Sequence, residues 1–229
     1  MVIRELETLD GARRAEGLVV IVDVFRACST ACAIAAGRPA KHVVVGDDRD
    51  AAELKARTPS AILIGKAEPG AAVRYDLPNS PSRVLDVDLA GRVVVHRTMG
   101  GARGILAATR ASEVICATFP NVSSAARYIR KVQPREVSLV ALGHRGASRS
   151  AEDVACAKHI RALLEGRVPE PLDLKALRES SGRDFFFGPQ TEYPAGDFTF
   201  CLTVDCFDFV LRALPWEQHA VIEPVFEQV

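Results

Sequence analysis

Long apolar runs are missing from this chain of 229 residues. No stretch approaches the roughly 20 residues that a spanning helix needs, so no membrane partner is expected. The opening stretch MVIRELETLDGARRAEG carries charges throughout and lacks the apolar centre of a secretory leader. An excess of one charge is also missing, with 29 Lys and Arg against 29 Asp and Glu. That balance argues against a nucleic-acid partner, yet it leaves room for a local basic pocket that takes a small anion. The six cysteines (Cys28, Cys32, Cys116, Cys156, Cys201, Cys206) show no C-x-x-C spacing, and no His completes a zinc set. They are expected to be small buried hydrophobes in a reducing cytoplasm. The absence of a G-x-S-x-G elbow argues against a serine hydrolase. Neither G-x-G-x-x-G nor the G-x-x-x-x-G-K-[ST] phosphate loop occurs.

What is present is alternation. Short β-branched runs predict strands at Leu18–Val22, His42–Val45, Ala61–Ile64, Arg92–His96, Glu113–Ala117 and Glu136–Leu142. Ala-rich segments predict helices at Ala27–Ala36, Asp50–Ala56, Ala102–Thr109, Val122–Val132, Ser150–Leu164 and Phe207–Ala213. This order predicts an α/β fold, with parallel-rich mixed sheets covered by helices. One unit over 1–229 is expected, with a second arrangement of two α/β lobes joined within 66–91, where Pro, Gly and Asp dominate. The aromatic, turn-rich FFFGPQTEYPAGDFTF reads as a cap or interface piece. An exposed Phe185–Phe187 patch would favour a homo-oligomer.

Ligands of open parallel sheets gather beyond the carboxyl ends of strands. Asp23 and Arg26 follow the first predicted strand, RTMGGARG the fourth, TFPNVS the fifth and GHRGASRSAED the sixth. These four turns are therefore expected on one rim. Each residue also has a plain structural role. Asp23 could cap the next helix, and Asn121 resembles an N-cap for VSSAARYIRKV. Arg26 could be a solvated first-turn residue, although a cation near a helix N-terminus points to an anionic partner. Glu152 and Asp153 would favour the dipole of their helix, or form part of a hard-cation site. The glycines of TMGGARG, including Gly100 and Gly101, let backbone N–H groups approach an anion. Asp23, Glu68, Asp76, Glu152 and Asp153 are the available acids; Arg26, Arg97, Arg103, Arg145 and Arg149 are the available guanidiniums. A metal ringed by acids beside Arg groups is what a phosphoester requires. His42, His96, His144, His159 and His219 show no metal-ligand spacing, but His96 and His144 near strand ends could shuttle protons.

VVIVDVFRACST, YDLPNSP, TFPNVSSAARYI and GASRSAEDVACA, in this order, resemble the 2-phosphosulfolactate phosphatase family. The likeness spans Val19 to Leu164 and continues more weakly through EYPAGDFTFCLTVDCFDFV. It implies a cytoplasmic, Mg²⁺-dependent phosphatase that removes phosphate from 2-phospho-3-sulfolactate on the route to coenzyme M. The family's D-x-x-R-A falls on Asp23, Arg26 and Ala27. Its F-D-x-G-N-S-P falls on Tyr75, Asp76, Asn79, Ser80 and Pro81, with Pro78 in place of glycine. Its later asparagine falls on Asn121 and its E-D pair on Glu152 and Asp153. Two stretches depart from the pattern. RTMGG replaces T-T-N-G-T while keeping Thr98, Gly101 and Arg103. GKAEPG replaces G-E-R, so that Lys66 or Glu68 stands for the glutamate.

The resemblance and the residues together give a set of expectations. Asp23, Arg26, Arg145, Glu152 and Asp153 are expected to be catalytic. Asp76, Asn79, Ser80, Thr98, Gly100, Gly101, Arg103 and Asn121 are expected to bind a small anionic phosphomonoester. Asp23, Glu68, Glu152 and Asp153 are expected to hold Mg²⁺. Attack by a metal-bound water is favoured over an aspartyl phosphate, because Phe25 stands where a D-x-D-G-T motif has its second aspartate. A non-catalytic binder of a phosphorylated or sulfonated metabolite is the alternative.

Overall fold

The computed structural model describes residues 1–226. Its sheet is built from two parallel arrays. The first contains β1 (Val2–Glu7), β2 (Gly17–Val22), β6 (Ala111–Ala117) and β7 (Glu136–Ala141); the second contains β3 (Lys41–Val45), β4 (Ile62–Ile64) and β5 (Val93–Arg97). An antiparallel hairpin of β8 (Phe209–Trp216) and β9 (His219–Phe226) lies between them. The nine strands run in the order β1-β7-β2-β6-β8-β9-β3-β5-β4. The predicted α/β class with a parallel-rich mixed sheet is what the molecule has.

Strand β2 shows why the central strands read as unbroken apolar runs. Val20 and Val22 enter one core with Ile115, Leu139 and Ile160, whereas Val19 and Ile21 enter another with Cys32, Val140 and Leu211. Side chains alternate between faces, and both faces are covered, so no polar residue interrupts the run. Helices α6 (Val122–Val132) and α7 (Ala151–Leu164) supply Ile129 and Ile160 to the first face, and α2 (Ala27–Ala36) supplies Cys28 and Cys32 to the second. Five cysteines are buried and Cys206 is exposed.

The segment predicted as a helix at Phe207–Ala213 is strand β8. Leu, Arg and Ala are good helix formers, but pairing of Val114 with Ala213 and Cys116 with Leu211 outweighs that local preference. Strand β1 and helix α1 (Thr8–Arg14) were not anticipated, because charges hide the pattern of an edge strand with only intermediate burial. The 66–91 segment contains a short helix, α4 (Pro81–Leu85), whose first turn is capped by Ser80. The aromatic segment forms α9 (Asp184–Phe187) and α10 (Ala195–Leu202). Phe185 is buried and Phe186 packs on the core, so only Phe187 of the three is exposed.

The hairpin reverses direction. Strand β6 is antiparallel to β8, β8 to β9, and β9 to β3, so the two parallel arrays point in opposite senses. A flat sheet would then put their carboxyl ends on opposite rims. Five neighbour steps separate β2 from β5 in the strand order. At about 20–25° of twist per step, the accumulated turn is on the order of 100°. One polar cavity nevertheless receives residues that follow β2, β5 and β7.

Candidate active site

The cavity has a volume of about 460 Å³. Asp23, Phe25 and Arg26 reach it from the turn after β2, and Thr98, Met99 and Gly100 from the turn after β5. His144 and Arg145 reach it after β7. Lys66, Glu68 and Asn79 come from the long 66–91 segment, and Ser181, Asp184, Phe185 and Tyr193 from the aromatic segment, which caps the site.

Of the expected acids Asp23 lines the cavity, while Glu152 and Asp153 are buried beside it and do not line it. Asp153 Oδ1 accepts from the Val24 amide at 2.7 Å, and its Oδ2 accepts from the Gly143 amide at 2.7 Å. These two bonds tie the start of α7 to the ends of β2 and β7. Asp23 Oδ1 accepts from the Ala27 amide at 3.1 Å, which caps α2. The capping role and the place in the cavity are therefore held by one residue. Glu152 is buried, and its Oε2 has no hydrogen-bond partner. Burial, opposed in part by the Ala27 amide, pushes the Asp23 carboxyl up to about 6, and the charge of Glu152 adds to the rise. Burial also raises Asp153, reinforced by Asp23 and Glu152. Glu152 is raised mainly by burial, and Ser181 and Ser150 oppose the rise.

Glycine explains why α5 (Gly101–Ala107) can press on this cluster. A Cβ at Gly100 would lie 3.0 Å from Asp23 Oδ2, and one at Gly101 would lie 2.7 Å from the Ala27 Cβ. The Gly101 amide also favours the charged form of Asp23. Thr98 Oγ1 accepts from the Ala102 amide at 2.7 Å and caps α5.

The cations stand opposite, and most are already paired. Arg26 donates to Asp197 Oδ2 at 2.7 Å and to the Glu192 carbonyl at 2.7 Å, with the Tyr193 ring 4.7 Å from its guanidinium. Lys66 meets Glu192 at 2.6 Å. Arg97 meets Glu68 at 2.8 Å and donates to the Lys66 carbonyl at 2.8 Å. Arg145 has no hydrogen-bonded acid among the described residues.

Several expected residues sit elsewhere. Glu68 borders the cavity, but its carboxylate faces Arg97 rather than the other acids. Asp76 accepts from the Leu63 amide at 2.8 Å and lines a smaller neighbouring cavity of about 220 Å³. Ser80 donates to Asp197 at 2.8 Å, a bond that serves the loop. Arg103 is exposed outside the cavity. Asn121 is fully buried; its Oδ1 accepts from the Thr118 amide at 3.0 Å and its Nδ2 reaches the Cys116 and Phe209 carbonyls at 3.4 Å. The expected cap at Asn121 is thus a turn within 118–121, closed by Thr118 as well. Arg149 pairs with Glu7 on another face. The turn after β6 therefore braces the fold, while the other three border the cavity. His96 is buried and its pKa is pushed down to about 3 by desolvation, which rules out proton shuttling near neutrality.

Asp197 was missed. It is fully buried and takes donors from Arg26, Ser80 and Ser82. In the sequence it stands in the first turn of a helix, where an acid looks like an ordinary dipole partner.

Fold and cavity together define an α/β protein with a polar pocket lined by Asp23 and by Arg26, Lys66, Arg97 and Arg145. The sequence pattern of the 2-phosphosulpholactate phosphatase family matches residues 5–213, and the chain belongs to that family. A probable 2-phosphosulfolactate phosphatase of Thermoplasma acidophilum is 29% identical over 187 residues, covering 81% of each chain. One of Bacillus subtilis is 25% identical, covering 90% of this chain and 91% of its own. One of Thermus thermophilus is 34% identical over a shorter match, 56% of this chain and 54% of its own.

Proposed function

We propose that the protein hydrolyses a small anionic phosphomonoester such as 2-phospho-3-sulfolactate, releasing sulfolactate and phosphate, with Mg²⁺ as cofactor. The observation that carries this reading is a cavity lined by Asp23 together with Arg26, Lys66, Arg97 and Arg145, with Glu152 and Asp153 buried close enough to Asp23 to raise one another's carboxyls. Family membership supports the phosphatase class.

The fit to a divalent cation rests on the acids. Glu152 has an orphaned buried oxygen, and all three carboxyls are raised. A cation would relieve both. Among the described residues no set of three acid, His or Cys side chains forms a ready ligand shell. Mg²⁺ does not need one, since it keeps several waters and is bound through one or two carboxylates. Asp23 and Glu152 would hold it, and Asp153 braces them from its two backbone bonds. Glu68 is paired to Arg97 and is left out of this set. When bound, the ion would neutralise charge on the phosphoryl oxygens and activate a water.

The chain's own residues supply the rest. Arg145, with Lys66 and Arg97 behind it, draws the anionic phosphoryl and acid groups into the cavity. Asp23 takes the proton of the attacking water as its oxygen bonds to phosphorus. The P–O bond to carbon breaks, and His144 at the rim gives a proton to the departing alkoxide. Phe185 and Tyr193 of the cap limit the access of bulk water.

The deciding experiment is phosphate release from a panel of small phosphoesters with Mg²⁺ and with chelator. Turnover of three-carbon sulfonated or carboxylated esters that is lost on chelation is expected. Tight binding with no turnover across the panel would replace the enzyme by a metabolite binder.

A further inference from the structure

Two histidines lie behind the cavity wall and take no part in the chemistry above. His42 pairs with Val94 in the β3–β5 register, which puts His96, two residues on, diagonally across on the same face. Both are buried, and their rings stack with centroids 5.4 Å apart. His42 Nε2 lies 3.4 Å from His96 Nδ1, and His96 Nε2 lies 2.9 Å from Asn79 Oδ1. His42 Nδ1 has no partner. Asn79 borders both the main cavity and its smaller neighbour.

With the Asn79 oxygen facing His96, the donor sense of this chain follows. A carboxamide oxygen only accepts, so His96 Nε2 carries a hydrogen. In a neutral ring the His96 Nδ1 is then a lone pair, which obliges His42 Nε2 to donate. His42 Nδ1 is left as a bare acceptor, a cheaper orphan than a buried N–H. Desolvation disfavours the charged form of both rings, which agrees with this assignment. The opposite tautomers would put a lone pair against Asn79, turn its amide over and present its oxygen to the cavity. An oxygen there repels an anion, whereas an NH₂ group donates to it.

We infer that the His42–His96 pair is a positioning device that fixes the Asn79 carboxamide with its NH₂ toward the cavity, as a specificity donor to an oxygen of the anionic substrate. This rests on reading the cavity as an anion site. The pair acts only through Asn79 and touches no substrate.

The wild-type protein tests this directly by long-range ¹H–¹⁵N NMR of its histidines at neutral pH, followed by titration with inorganic phosphate. Nε2–H tautomers at both His42 and His96 are expected, with the Asn79 NH₂ resonances moving as phosphate is added. An Nδ1–H at His96, or an Asn79 NH₂ that phosphate does not move, overturns the inference. In the His42→Leu variant the donor to His96 is gone. KM should rise about tenfold with kcat within about threefold, the scale of one lost hydrogen bond. A KM equal to wild type overturns the positioning role. Should the variant fail to fold, the wild-type spectra still decide. Phosphate-induced shifts at Asn79 without turnover of any phosphoester would uphold this inference and refute the hydrolase reading; turnover with the wrong tautomer would do the reverse.

Discussion

The cations and the acids of the site are built on opposite plans. The cations are paired: Arg26, Lys66 and Arg97 each face an acid within 2.8 Å, although Arg97 Nε has no hydrogen-bond partner. The acid cluster is frustrated: Asp23, Glu152 and Asp153 are buried together, Glu152 keeps an orphaned oxygen, and burial raises every carboxyl. A folded chain tolerates such crowding when the site works on charge brought from outside. The paired cations are architecture that shapes the pocket; the frustrated acids are where a cation would be gripped.

Altering each group sharpens the contrast. The largest effect is expected from Asp197→Ala, which leaves the buried Arg26 guanidinium without its carboxylate. Breaking a buried pair costs about 3–5 kcal/mol, measured by urea unfolding. Asp23→Asn should do the opposite. A carboxyl raised from 3.8 to about 6 holds its proton more tightly folded than unfolded. Stability therefore falls as pH climbs from about 4 to about 6, and the lost amount persists above that window. The shift corresponds to about 3 kcal/mol. Metal-free Asp23→Asn should thus be more stable than wild type at pH 7, with the difference vanishing near pH 4; a difference independent of pH would refute the buried, raised carboxyl. The same variant, and Glu152→Gln, should lower turnover by about a hundredfold or more, the loss typical of one key electrostatic group. Near-wild-type rates in both would remove the acid cluster from the chemistry. The smallest effect is expected at Glu68→Gln, where an exposed partner of Arg97 is neutralised. Turnover should stay within about threefold, since Glu68 is half exposed and Arg97 keeps the Lys66 carbonyl and Asp48, and a larger fall would move Glu68 into the metal set.

Asp23, Glu152 and Asp153 were legible in the sequence because each stands at a turn between a strand and a helix, where local rules already place an acid. Asn121 was legible as a cap, whereas Ser80 was legible as special but not as structural, since a polar residue bound within the fold looks the same in one dimension as one bound to a ligand. Asp197 was not legible, because its meaning depends on Arg26, 171 positions away. The six strands β2 to β7 were read from their apolar stretches, while β8 was hidden by helix-forming residues whose partner β6 lies far upstream. The common rim was expected from an open parallel sheet, whereas the strand order reverses one array against the other and the cavity gathers residues from both.

The hairpin between the arrays also sets an order of events for a chain emerging from the ribosome. Until the residues beyond 208 are available, β6 and β3 each present a bare hydrogen-bonding edge, and open edges invite pairing with other chains. Completion of the sheet waits for this hairpin to be made, so its loss would leave two unpaired half-sheets rather than a slightly shortened protein.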